Sequence, residues 1–209
     1  DQYVDVRQQY IDNPTAVEEQ TKAANHVISG EMEPTLLVKG GEKLSLGGGV
    51  TVSVHHIPGH TAGSVAYVVA GQQSVFVGDA VQIHGAANGF PGYEDPAAYR
   101  SSLQYLRDEV RPGHLYLGHP YRNADGVPYG VELDREAARN ALQGSLDLEA
   151  RIGDVARRYL RGGLRESDSV YSPFAPVAEE LGYTGDPTLE PSPFFTTMHG
   201  HLTQFNQTY

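Results

Sequence analysis

Two apolar runs set only three residues apart restrict this chain more than any other feature. SVAYVVA (64–70) and SVFVGD (74–79) flank Gly71, Gln72 and Gln73. A gap that short makes the runs a hairpin. Few polar residues fall on either alternating face, so the pair is expected to be buried on both sides, with Val65, Val68, Val75 and Val77 packed above and below.

The surroundings extend this hairpin into a mixed sheet. Upstream, Val50, Val52 and Val54 alternate with Thr51 and Ser53, and Gly-Gly pairs mark turns between strands. Downstream, Asp95 followed by Pro96 reads as a helix N-cap and first turn. The helix runs through Val110 with Tyr99, Leu103 and Leu106 on one face. Pro112-Gly113 ends it, and HLYLGH (114–119) returns as a strand. This order makes the fold class α/β (α+β). Two helices are expected in 1–30, a long helix from 133 to about 160, and short helices at 174–181 and 194–205. Residues 1–132 form the main part, and 133–209 a helical C-terminal extension packed on it.

Composition narrows the function. Lys+Arg 15 against Asp+Glu 26 gives a net charge of −11, which leaves no basic stripe for a nucleic-acid backbone. Cys 0 excludes disulfides, thiolate metal sites and a cysteine nucleophile. No apolar run nears the ~20 residues of a membrane helix. The cytoplasm is the expected compartment, and twelve arginines against three lysines suggest a bacterial source.

Three metal-type ligands stand at strand ends or in the loops that follow. They are His60 in PGHTAGS (58–64), Asp79 at the close of VFVGD, and His119 in YLGHP (116–120). Each follows a glycine, which lets the backbone turn sharply and aim the side chain at a shared point. Imidazole, carboxylate and imidazole suit a zinc-type centre. Each motif alone also fits a cap or a surface residue; the order of the set carries the signal.

The run HHIPGHTAGSVAYVVAGQQSVFVGDA, followed by YLGHP, resembles the second half of a metallo-β-lactamase-fold hydrolase, nearer the glyoxalase II and lactonase branch. The resemblance spans roughly 30–122. It implies an αββα sandwich carrying two divalent metal ions, zinc foremost, with iron and manganese as alternatives. By motif, His60 would bind the first metal, Asp79 would bridge both, and His119 would bind the second. Ala62 stands where such motifs usually have Pro.

The family's leading signature, His-x-His-x-Asp-His, is absent from this chain. His26, His55 and His56 lack its spacing, and Met198-His199-Gly200-His201 is the only His-x-His. That last motif reads as a C-terminal helix with exposed imidazoles. His55 and His56, being adjacent, point to opposite faces of a strand. The chain also starts at Asp1 inside a helical stretch. Together these features lead us to expect a carboxy-terminal piece whose site is completed by an N-terminal fragment or subunit carrying the signature. A homodimer is a further expected partner. A degenerate, non-catalytic binding subunit is the alternative.

The expected chemistry is attack of a metal-activated water on a small acyl substrate such as a lactone, thioester, ester or amide. Asp79 doubles as a catalytic proton relay. Gln82, His84, Phe90, Tyr93, Tyr121 and Arg122 are candidate substrate contacts, with 85–93 as a lid or pocket wall.

Overall fold

Period-two alternation at 50–56 becomes the second strand of a six-stranded sheet. The computed structural model describes residues 36–82, 91–119, 130–163, 175–182 and 193–206. The strands are β1 (Lys43–Gly47), β2 (Val50–His56), β3 (Val65–Val69), β4 (Ser74–Gly78), β5 (His114–Leu117) and β6 (Glu132–Asp134), paired in that order across the sheet. All neighbours are antiparallel except β4 and β5. Residues Val38–Tyr209 form one compact unit and Asp1–Leu37 another. The two helices expected in 1–30 lie outside the described residues.

The parallel pair exists because a helix crosses over between β4 and β5. α1 (Pro96–Tyr105) starts where the sequence places it: the Asp95 side chain accepts a hydrogen bond from Ala98 N at 3.0 Å. A π-helical turn, Leu106–Val110, continues it to Arg111, whose backbone is left-handed with φ 52. Tyr99, Leu103 and Leu106 are fully buried against Val75, Val77, Leu115 and Leu117. Burial of each such side chain contributes about 1.5–3 kcal/mol.

α2 (Arg135–Arg161) links two cores. Asp134 caps it by accepting from Ala137 N at 2.9 Å. Ala138, Ala141, Leu142 and Leu146 belong to the sheet core. Nearly two turns further, Ile152, Val155 and Ala156 pack instead with α3 (Ala175–Leu181) and α4 (Pro193–Asn206). The junction is held by Arg100 of α1, which pairs with the buried Glu149 of α2. Burial pushes the Glu149 carboxyl above its ordinary range, and Arg100 pulls against that push.

One expectation fails. Val75 and Val77 are buried, but Tyr67 and Phe76, cross-strand partners on the opposite face, are 37% and 42% exposed. Alternation places them away from the helix layer, and Phe76 meets Tyr116 in a stack at 4.4 Å instead. Among the described residues, no helix is long and apolar enough to cross a membrane.

Candidate functional site

Strand direction alone collects the candidate ligands at one edge of the sheet. β2, β4 and β5 run the same way, because β2 and β4 are each antiparallel to β3 while β5 is parallel to β4. The loop carrying His60, the residue after β4 and the residues after β5 therefore leave the sheet on the same side. Carboxyl ends of parallel strands are where α/β sheets generally place ligands.

Asp79 and His119 meet there. His119 Nε2 lies 3.2 Å from Asp79 Oδ1, with the side chains 60% and 39% exposed. Gly118 makes this contact possible: its N–H donates to Gly78 O at 2.9 Å, and a Cβ at 118 would sit 2.3 Å from Asp79 Oδ1. Any larger residue would push the carboxylate aside.

His60 is oriented by the loops around it. Gly59, at φ +138, is pressed against α1, where a Cβ would fall 2.3 Å from Tyr99 Cα. Its carbonyl accepts from Glu94 N at 2.8 Å and Asp95 N at 3.1 Å, so the His60 loop is clamped to the helix cap. His60 Nδ1 is 2.7 Å from the Gly92 carbonyl, which can only accept. In the neutral ring, a proton placed on Nδ1 to serve this carbonyl leaves Nε2 its lone pair. This arrangement fixes ligating histidines in metal sites. Gln82 is buried beside it, accepting from Gly92 N at 2.8 Å with its amide 3.1 Å from His60 Nδ1.

The remaining candidates separate. Tyr93 is fully buried rather than facing a pocket: it stacks on Tyr99 at 4.4 Å, and its hydroxyl lies 2.9 Å from His201 Nε2. His84, Phe90, Tyr121 and Arg122, with most of the 85–93 loop, lie outside the described residues. So does His26. His55 and His56 point to opposite faces as expected, with His55 Nδ1 2.7 Å from Tyr105 Oη and His56 Nε2 2.9 Å from the Ala62 carbonyl.

His201 corrects the expectation of exposed C-terminal imidazoles. Only His199 is exposed; His201 is 1% exposed. Burial, aided by the positive Arg100 and Arg157, lowers its pKa to about 3. Thr197 completes the clasp, accepting from Tyr93 N at 3.1 Å and donating to Pro91 O at 2.7 Å. The missed signal is helical spacing: position 201 falls on the stripe of Met198, Leu202 and Phe205.

The described donors have the right chemistry for a divalent cation. They do not complete a ligand sphere: among the described residues, no group of three or more His, Cys, Asp or Glu could hold a metal ion. What the edge presents is the Asp79–His119 carboxylate–imidazole pair and a second imidazole, His60, oriented through its Nδ1.

The sequence model described as the Metallo-beta-lactamase superfamily matches residues 10–123. A hydroxyacylglutathione hydrolase from Hyphomonas neptunium is 34% identical over 99 residues, covering 47% of this chain and 37% of that protein. One from Shewanella loihica is 36% identical over 120 residues, covering 57% and 42%. The chain thus spans about two-fifths of the length of the curated relatives it matches. Among solved structures, a metallo-beta-lactamase family protein from Thermus thermophilus superposes with a TM-score of 0.59 at 20% identity, covering 99% of this chain and 60% of that one. At that identity the likeness speaks for the fold.

Proposed function

The chain belongs to the metallo-beta-lactamase superfamily, and from that premise we propose that it serves a metal-dependent hydrolase acting on a small acyl substrate, a thioester foremost. The observation that carries this reading is the Asp79–His119 pair, at 3.2 Å, on the edge where the His60 loop also emerges. Hydroxyacylglutathione hydrolases among the relatives favour a thioester over a lactone or amide.

In this reading His60 offers Nε2, Asp79 a carboxylate oxygen and His119 a ring nitrogen to divalent ions, zinc foremost and two in number. Bound there, such ions supply Lewis acidity and a water whose pKa falls to about 7. The protein's own residues do the rest. Gly92 and Gln82 hold the His60 ring so that its lone pair keeps one direction. Gly118 leaves room for the Asp79 carboxylate. That carboxylate can accept a proton from the attacking water and return it to the departing group. The donors still wanting come from outside the described residues, on a segment or subunit of the His-x-His-x-Asp-His type.

The test is thiol release from a hydroxyacylglutathione thioester by the full chain combined with a polypeptide carrying the His-x-His-x-Asp-His segment and loaded with zinc, beside the same complex with Asp79→Asn. We expect turnover in the first and a loss of roughly a hundredfold or more in the second. Equal turnover in both would overturn the assignment. Zinc bound without turnover would favour a non-catalytic binding subunit.

A further inference from the structure

Far from the candidate metal edge, at the other end of β4 and β5, four arginines converge. The strands enter the sheet there at Ser74 and His114, and β6 leaves it into α2. A cavity of about 230 Å³ opens at this end, lined by Arg107, Arg111, Arg135 and Arg139 around Pro112 and Leu142. Five strand residues separate it from Asp79, a span of roughly 17 Å.

A chain of net charge −11 has no general excess of cations to spread over its surface. Here two pairs spaced i, i+4, one on the π-helical turn and its cap and one on α2, face the same space. Like charges at that spacing repel along a helix. Asp108 answers only part of this, holding Arg107 through two contacts of 2.7 Å, while Arg107 also donates to Gln143 at 2.6 Å. Asp147 adds a second negative charge near Arg107. Arg139 is exposed and has no ion-pair partner among the described residues.

Backbone strain marks the same corner. Among the described residues, two non-glycine positions have positive φ, Gln73 at 51 and Arg111 at 52. Both stand here. Arg111 occupies the helix-ending position where glycine is least strained, yet carries a long side chain whose Nε donates to Asp108 O. Gln73 receives a hydrogen bond from Arg135 Nη2 and so aims that guanidinium. Strain retained at two residues that both orient arginines points to use of the arginines.

We propose that this cavity binds a phosphate-bearing small anion, the oxyanion held by paired guanidinium groups and any organic portion lying on Leu142 and Pro112. Guanidinium forks match phosphate oxygens two by two. The site is separate from the proposed hydrolytic one, and its test does not depend on turnover.

Titration calorimetry of the full chain with inorganic phosphate and with phenyl phosphate, against chloride at matched ionic strength, reads the site. We expect saturable binding of at least one phosphate compound. Equal affinities would identify free phosphate as the ligand, and tighter phenyl phosphate a phosphate ester. Arg139→Gln should weaken binding roughly tenfold. Arg111→Gly relieves the positive φ, so it should keep or raise the melting temperature while weakening binding similarly. No binding above the chloride control, or binding unchanged in both variants, would overturn the proposal.

Discussion

Replacing His201 with glutamine should change how this fold responds to acid, and the size follows from its surroundings. The imidazole is 1% exposed, hydrogen-bonded to Tyr93, and held neutral by burial and by Arg100 and Arg157, with its pKa lowered to about 3. In the unfolded chain the same ring titrates near 6.5. Below that pH the unfolded state takes up a proton that the folded state refuses. The stability this histidine permits is therefore complete above about pH 6.5 and is lost as pH falls from there towards about 3. Between pH 7 and pH 5 the loss amounts to about 2 kcal/mol. For a chain of this size that corresponds to roughly 4–8 °C in melting temperature. Glu149, whose raised pKa acts in the opposite sense, is present in both proteins and cancels from the difference. Urea unfolding of wild type and His201→Gln at pH 7 and pH 5 is the assay. Wild type should lose about 2 kcal/mol more than the variant over that interval. The same pH dependence in both would refute the claim that His201 is buried neutral.

Other substitutions test the loops that aim the ligands. Gly59→Ala places a Cβ 2.3 Å from Tyr99 Cα at φ +138, whereas Gly63→Ala meets nothing within 4 Å. The first should cost about 3 kcal/mol or more in thermal unfolding, and the second should lie within about 0.5 kcal/mol of wild type. Gln82→Ala strands the buried Gly92 N–H and frees the loop that holds His60. It should cost about 1–3 kcal/mol in stability and weaken zinc binding about 10–100-fold by calorimetry. Gly118→Ala should displace the Asp79 carboxylate and weaken zinc binding by a similar factor, read in the same titration.

Much of the framework was legible because local chemistry and tertiary packing agree. The 64–79 hairpin, the Asp95 cap and the Tyr99, Leu103, Leu106 stripe each follow from spacing and appear where spacing puts them. The edge location of His60, Asp79 and His119 follows from strand direction once the crossover helix is recognised. Three features were not legible. Exposure of Tyr67 and Phe76 depends on which face the helices cover, and composition cannot decide that when both faces are apolar. Burial of Tyr93 and His201 depends on a contact between residues 108 positions apart. The role of Gln82 emerges only when Gly92 returns to it across a loop. A polar residue's partner at long range leaves no mark in its own neighbourhood.

Every role proposed for the edge formed by His60, Asp79 and His119 requires that it hold divalent metal. Zinc titration of the full chain by calorimetry, with metal content confirmed by mass spectrometry, tests this most directly beside Asp79→Asn and His119→Ala. We expect saturable binding of at least one zinc ion in wild type and a loss of affinity of roughly a hundredfold in each variant. Wild-type protein that binds no zinc, or variants that bind it as tightly as wild type, would contradict the metal-site assignment.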